Sequence, residues 1–298
     1  MSAGALGGGL HRLVCFMGAD DTAYFSDLDF LCRSGRRREV AAAVLAELAA
    51  ARGEFDAVCL PRMPLEGDGP AAVMEAAAAA GFRVVIEDFI RTAWDRLPRR
   101  FGEFLRRMPH AGRRRCWRNF PARLLERHPD ARFEDASGEP AEALMDELRD
   151  VQCDHWRHRG HAGYFSNPHW PEFGLRMWRN LQRRGRLRVR RLVIGGRTAA
   201  LELGAAYRGT YFGLHRTRRP EFDGIGVGHG LLAHVVARSI AEGLERIDFF
   251  DADHYAYKRE FLSRTRLTGT VTLFDDRPAA GLRQGLRLMG RAVAGGLT

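Results

Sequence analysis

The pattern that most constrains the fold lies in residues 187–250, where three strand-like segments precede a glycine-rich loop and a helix. Leu187–Ile194 alternates arginine with apolar residues, which is typical of a half-exposed strand. Gly195-Gly196 and Arg208-Gly209 are two-residue hairpin turns, so the neighbouring strands form an antiparallel meander. The predicted elements are strands at 187–194, 198–207 and 211–215, a helix at 229–242 and a strand at 246–250.

The first third of the chain alternates strand and helix signals. Its order is β-α-β-α-β, which predicts an α/β unit. We expect Pro61 and Pro64 to end the second strand. The predicted elements here are strands at 13–16, 55–60 and 82–90 and helices at 39–51 and 70–80. Farther along, helices are predicted at 98–108, 113–127, 139–156 and 168–184 and a strand at 267–274, with Pro121 kinking its helix or starting a new turn.

The net charge of +10 is concentrated in two short blocks of the 298 residues. Residues 91–132 hold 13 arginines and 4 acids, and residues 157–191 hold 10 arginines and 1 acid. Between them, residues 133–156 carry a net charge of −7. Such blocks suit an anionic partner, namely phosphate, nucleic acid or a membrane surface. The alternative is that acidic and basic segments neutralise one another in the fold.

The five cysteines and the length of the apolar runs indicate the cellular compartment of the chain. The cysteines are odd in number, irregularly spaced and without a Cys-x-x-Cys pair, which argues against a disulfide framework and for a reducing cytosol. The longest apolar runs are too short to span a bilayer. We therefore predict a cytoplasmic protein.

Three motifs carry a resemblance to a known family, and they extend it through roughly residues 100–275. Together they resemble the CelD/BcsL-type GNAT acetyltransferases, also described as BioF-like and related to the Fem peptidyltransferases. The motifs are His155-Trp156-Arg157-x-x-Gly160, Gly228-His229-Gly230-Leu231-Leu232 opening a helix that ends at Glu242-Gly243, and Ile247-Asp248-Phe249-Phe250-x-x-Asp253 followed by Tyr257-Lys258-x-x-Phe261.

The resemblance implies an α/β (α+β) fold of two tandem GNAT-like halves, with mixed, largely antiparallel sheets flanked by helices. The second half would bind the donor, acetyl-CoA or another acyl-CoA. The domains expected are a degenerate N-terminal GNAT-like half at 1–97, an arginine-rich helical connector at 98–135, the C-terminal acyltransferase core at 136–275 and an amphipathic helix at 276–298.

The glycine loop before the helix at 229–242 is the predicted donor site. Glycines let a ligand approach the backbone, and a helix N-terminus offers free N–H groups and a positive dipole end to a pyrophosphate. At the position where the family usually has glutamine or arginine, the chain has Asp223, which needs a neighbouring arginine to offset it. The predicted donor-binding residues are Gly226, Gly228, His229, Gly230, Arg218 and Arg219.

The catalytic candidates follow from what acyl transfer needs: a base, a stabiliser for the oxyanion and an acid for the thiolate. Lys258 is the only lysine among 47 basic residues, and we expect it to supply positive charge at the reaction centre. Tyr257, or Tyr255, is the candidate acid. Glu202, which interrupts an apolar strand, is the candidate base, with the Asp253–His254 pair as runner-up.

Each candidate also has a structural interpretation: a surface lysine, half-buried tyrosines and an outward-pointing glutamate. No metal site is expected, because His155, His158 and His161 fall on different helical faces or beyond the helix end.

Three function classes stay open. The leading one is an acyl-CoA-dependent N- or O-acyltransferase acting on an envelope, polysaccharide or small-molecule acceptor. The others are a Fem-like aminoacyl-tRNA-dependent peptidyltransferase and a non-catalytic anion-binding protein on a GNAT fold. Nucleic acid is expected as a partner only if tRNA is the donor. Peripheral membrane contact is an alternative role for the C-terminal helix. The acceptor, the acyl chain length and the oligomeric state are not encoded in any motif.

Overall fold

The chain forms two compact units in a computed structural model. The model describes residues 2–6, 9–16, 27–157, 165, 167–253 and 255–275. One unit comprises Met1–Arg91 with Arg266–Thr298, and the other comprises Thr92–Thr265. The predicted C-terminal helix, the histidines at 158, 161 and 254, and residues 17–26 lie outside the described residues.

In its described residues, the first unit contains five strands and two α-helices. Its strands follow the order β1-β2-β3-β10-β4, in which β2 and β3 are parallel while β1–β2 and β3–β10 are antiparallel. The elements are β1 (Ser2–Leu6), β2 (Gly9–Cys15), α1 (Arg37–Ala50), β3 (Ala57–Pro64), α2 (Asp68–Ala79), β4 (Phe82–Arg96) up to Arg91, and β10 (Arg264–Asp275) from Arg266.

The strand β3 runs farther than its prolines predict. It continues through Pro61 to Pro64, whereas we expected it to end near residue 60. The pairing with β10 shifts register between Gly269 and Val271, beside Pro61 and Arg62. Arg62 has a φ of 54°. Proline lacks an N–H to donate and is tolerated where a strand bulges, so the irregularity lets the strand pass it.

The second unit contains the antiparallel meander and most of the helices. Its strands follow the order β4-β9-β8-β7-β6-β5, where β8 and β9 are parallel and the other neighbours are antiparallel. The elements are Thr92–Arg96 of β4, α3 (Phe101–Arg107), α4 (Ala111–Arg127), β5 (Arg132–Asp135), α5 (Ala141–Arg157), α6 (Trp170–Arg183), β6 (Leu187–Ile194), β7 (Arg197–Tyr207), β8 (Thr210–Arg218), α7 (Val227–Ala241) and β9 (Arg246–Asp251), with 3₁₀ turns at Pro220–Ile225 and Ala256–Glu260.

Helices cover both faces of this sheet. Arg190 of β6 reaches Glu242 at the end of α7, whereas Arg191 reaches Glu139 and Glu147 on the side of α5. Because successive strand residues point to opposite faces, α7 and α5 lie on opposite sides. The predicted class, a mixed α/β fold with a largely antiparallel sheet flanked by helices, is confirmed.

The residues predicted as a connector pack into the second unit. Trp117, Phe120 and Leu124 of α4 are buried in the same core as Leu231 and Val235 of α7. We expected Pro121 either to kink its helix or to start a new turn. The helix α4 continues through Pro121, which is exposed, so no new turn starts there. In the described residues, no helix is long and apolar enough to cross a membrane.

Candidate active site between β8 and β9

The parallel strands β8 and β9 pair only at their beginnings. Their register partners run from Thr210–Arg246 to Phe212–Asp248, although β8 continues to Arg218. On its other edge β9 pairs with β4 from Arg246 to Asp251. Within the described residues the ladder between β8 and β9 ends after Phe212, and we call the unpaired stretch beside the second half of β8 the opening between β8 and β9.

Backbone irregularities mark the opening on both strands. On β8 the register with β7 shifts between Gly213 and His215, so Leu214 is an extra residue without a facing partner. Such a bulge leaves backbone groups outside the ladder and often borders a functional site. On β9, Phe250 has a φ of 53°. This left-handed backbone conformation is rare for a bulky residue, and residues that adopt it are concentrated at functional sites.

A buried ion pair lies beside the opening. Glu202 of β7 faces Arg216 of β8 across the sheet, and its side chain is 1% exposed while that of Arg216 is 14% exposed. The guanidinium donates from Nε to Oε2 of Glu202 and from Nη2 to Oε1 at 3.4 Å. Tyr211 donates its hydroxyl to the same Oε1 at 3.3 Å. Both oxygens of Glu202 are thus engaged, which suits a carboxylate that positions Arg216.

The 3₁₀ turn after β9 brings Tyr257 to this pair. Arg216 donates from Nη1 to the hydroxyl of Tyr257 at 3.2 Å, and its guanidinium stacks over the ring of Phe249 at 4.8 Å. Burial raises the pKa of Tyr257, although Arg216 opposes that shift. The phenol therefore keeps its proton at neutral pH and can donate it.

Lys258 is buried next to the same cluster. Its Nζ donates a hydrogen bond to the carbonyl oxygen of Phe249 and lies 4.7 Å from the ring centre of Tyr255. Burial, with a further contribution from the positive charge of Arg216, lowers the pKa of Lys258 to about 8. The ammonium is therefore mostly charged at neutral pH but loses its proton far more readily than an exposed lysine.

Glu202 is the most strongly desolvated acid of the site. Burial raises its pKa, and the opposing attraction of Arg216 together with the Tyr211 hydroxyl limits that rise. Arg216 stays protonated because Glu202 offsets the cost of its burial. A carboxylate bound in this way is a poor general base, so the arrangement favours a positioning role for Glu202.

The N-terminus of α7 forms the second part of the candidate site. Gly226 precedes it with a φ of 78°, a conformation that glycine adopts without strain. No side chain caps this end among the described residues. The amides of His229 and Gly230 are the first that donate back to the carbonyl of Gly226. The N–H groups of Val227 and Gly228 come before them and therefore have no partner within the helix.

An arginine, an aspartate and a neutral histidine surround this end of the helix. Arg218 packs over Gly228 and forms a bidentate ion pair with Asp223, which offsets the acid in the glycine loop. His229 has its ring 6.1 Å from that of Tyr257, which connects the helix end to the ion-pair cluster. Burial, with smaller contributions from Arg113 and Arg216, lowers the pKa of His229 to about 4, so its imidazole is neutral at pH 7.

Three predicted site residues have other contacts. Arg219 is bound by Asp150 and Asp154 of α5 and by the carbonyl of Thr198, so its guanidinium is fully used. Gly230 lies inside α7, where a Cβ would come within 2.0 Å of the Phe120 ring, so its small size permits helix packing. Asp253 accepts a hydrogen bond from Arg259 at 3.2 Å on the loop after β9. His254 lies outside the described residues.

The structure thus brings together Lys258, Tyr257 and Glu202, and adds two residues that the sequence reasoning did not assign. These are Arg216, which donates to both Glu202 and Tyr257, and Tyr211, which donates to Glu202. The signal that points to them is the Arg208-Gly209 turn, which fixes the hairpin pairing of β7 with β8. Simple counting from that turn places His215 opposite Glu202, and the bulge at Leu214 moves Arg216 there instead.

A family model described as an acetyltransferase (GNAT) domain matches residues 110–259, which is half of the chain. Comparison with curated protein sequences found no match.

Several solved structures share the fold at low sequence identity, and they support the fold alone. A conserved protein of unknown function from Bacteroides thetaiotaomicron is 15% identical, with a TM-score of 0.56 over 78% of this chain and 75% of its own. The C-terminal domain of a putative lysylphosphatidylglycerol synthetase from Agrobacterium fabrum is 14% identical, with a TM-score of 0.54 over 85% and 77%. FemX is 13% identical, with a TM-score of 0.54 over 82% and 79%.

The titration of Lys258 can be followed alone because the chain has no other lysine. We expect the NMR signal of lysine labelled with ¹³C at Cε to titrate with a midpoint near pH 8, since burial disfavours the ammonium. The variant Arg259→Gln, which removes a neighbouring exposed charge, should leave that midpoint unchanged. A midpoint at the ordinary value of 10.5 would show that Lys258 is solvated and would contradict this description.

Proposed function

Because this chain belongs to the acetyltransferase (GNAT) domain family, we propose that it transfers an acyl group from acyl-CoA to an amine or hydroxyl of an acceptor. The observation that carries the proposal is the uncapped N-terminus of α7 beside the opening between β8 and β9. A pyrophosphate suits a cluster of free N–H groups, and a thioester suits a gap between neighbouring strands. We propose further that the protein is cytoplasmic.

The donor pyrophosphate would bind at the first turn of α7. The N–H groups of Val227 and Gly228 and the positive end of the helix dipole suit its negative charge. Arg218 packs over Gly228 and is 31% exposed, so it can share its charge between Asp223 and a phosphate. In this proposal Gly226 shapes the turn, while Arg219 and Gly230 support the site through packing.

The thioester would lie between the parted strands, next to the bulge of β8. In this proposal the backbone N–H of Leu214 and the charge of Lys258 would stabilise the oxyanion. The acceptor nitrogen or oxygen forms the new bond to the acyl carbon, and the C–S bond breaks. Tyr257 gives its proton to the departing thiolate and regains one from the acceptor, so one proton moves from acceptor to thiol.

The assignment to the CelD/BcsL type, with an envelope, polysaccharide or small-molecule acceptor, also belongs to this proposal. It is supported by the element Tyr257-Lys258-x-x-Phe261, because Tyr257 and Lys258 both join the buried cluster while Phe261 packs on the ring of Phe249. We also propose that residues 1–97 are a degenerate GNAT-like half.

Calorimetry with acetyl-CoA tests the donor site. We expect saturable binding to the wild-type protein, and a loss of at least tenfold in affinity in Gly228→Glu, because a carboxylate would compete with the pyrophosphate at the helix N-terminus. Gly138→Glu adds the same charge at a turn with open space and should bind as the wild type does. Salt-sensitive binding of aminoacyl-tRNA without binding of acetyl-CoA would support the Fem-like alternative instead.

The role of Tyr257 can be tested against its neighbour Tyr255. We expect Tyr257→Phe to lower kcat for acetyl-CoA consumption, measured by chromatography with a panel of amine and alcohol acceptors, by about 100-fold, because the general acid is lost. Tyr255 is 38% exposed and contacts Lys258 through its ring, which phenylalanine retains, so Tyr255→Phe should keep near-normal kcat. Equal effects of the two changes would argue against Tyr257 as the acid.

A further inference from the structure

The two arginine-rich blocks of the sequence behave differently in the fold. Most described arginines of residues 157–191 are neutralised by carboxylates. Arg190 and Arg191 bind five carboxylates between them, and even the exposed Arg176 and Arg179 have partners. For this block, the expected mutual neutralisation of acidic and basic segments describes the structure well.

The other block keeps a group of arginines without acidic partners. Among the described residues, eight exposed arginines on α3 and α4 and immediately before α3 form no ion pair, and only Glu103 and Glu126 supply negative charge on these two helices. We call these eight the α3–α4 arginine surface. They are Arg99, Arg100, Arg106, Arg107, Arg115, Arg118, Arg123 and Arg127.

One stripe of α4 combines this charge with an apolar side chain. Arg115, Arg118, Ala122 and Leu125 follow at intervals of three and four residues, so they share the outward side of the helix. All four are exposed, and Leu125 is 51% exposed. The opposite side of α4 is buried through Trp117, Phe120 and Leu124 and cannot turn outward without unfolding the core.

We propose that the α3–α4 arginine surface binds the anionic phospholipid headgroups of a membrane surface. Clustered arginines without internal counterions are attracted to a negatively charged bilayer, where each contributes favourably near the surface. The exposed Leu125 on the same stripe suits the headgroup–acyl boundary. This inference does not depend on the proposed acyl transfer.

The same observations favour a membrane over RNA. Proteins that hold single-stranded nucleic acid usually stack bases on exposed aromatic rings. Among the described residues of 98–135 no large aromatic side chain is exposed, because Phe104, Trp117 and Phe120 all face the core. The surface therefore presents arginines and an exposed leucine and no stacking rings, which suits an interfacial contact with a membrane.

The arginine surface adjoins the candidate active site through α4. Arg113, in the first turns of α4, forms an ion pair with Glu260, two residues after Lys258. Arg113 also contributes to the low pKa of His229 at the start of α7. Membrane binding through α3 and α4 would therefore hold the site within reach of an acceptor in or on the membrane.

Co-sedimentation of the full chain with vesicles tests the proposal. We expect binding to phosphatidylcholine vesicles that contain phosphatidylglycerol, no binding to phosphatidylcholine alone, and a decline with added salt. The double variant Arg115→Gln/Arg118→Gln should weaken vesicle binding by about 30-fold, since each arginine near an anionic surface contributes about a fivefold factor. Circular dichroism should show unchanged folding, because neither side chain has an internal partner.

The matched control is Arg176→Gln/Arg179→Gln, which removes the same charge from α6, where both arginines are ion-paired. It should retain vesicle binding within about twofold. An equal loss in both double variants would show that net charge alone drives binding and would overturn the proposal. Absence of binding at about 0.1 M salt would overturn it too, as would tighter binding to an RNA oligonucleotide in the same buffer.

Discussion

The buried contact between Glu202 and Arg216 is the interaction on which the candidate site depends. Removing one partner of such a pair typically costs about 3–5 kcal/mol, because the other charge is left in a poorly solvated place. The pair fixes the ends of Tyr211 and Tyr257 and contributes to the pKa of Lys258. A charged pair is a costly way to stabilise a sheet, and here it also orients the groups beside the opening between β8 and β9.

Much of the fold could be predicted because local signals agree with the tertiary structure. The Gly195-Gly196 and Arg208-Gly209 turns fix the hairpins as predicted. The prediction that β6 is half-exposed is wrong, because α5 and α7 cover its opposite faces and none of its residues is exposed. The course of β3 past Pro61 could not be predicted, since the bulge that accommodates it depends on β10, more than 200 residues away. The packing of α3 and α4 into the second unit likewise depends on contacts with α7, which no local pattern encodes.

The sequence predicts a residue of the candidate site only where its residue type is unusual among its neighbours. Lys258 stands out as the one lysine, and Glu202 as an acid in an apolar strand. Arg216 could not be singled out from the many other arginines. Its place opposite Glu202 depends on one extra residue, Leu214, in β8. The glycine loop looked uniform in sequence, yet Gly226 serves a left-handed turn while Gly230 makes room for Phe120.

The central claim is that α7 and the gap between β8 and β9 form one acyl-donor site. A crystal structure of the protein with a non-hydrolysable thioether analogue of acetyl-CoA tests it most directly. We expect the pyrophosphate against the N–H groups of Val227 and Gly228, and the acyl end between Leu214 and Phe249. An analogue bound elsewhere, or a helix N-terminus left without phosphate at saturating ligand, would contradict it.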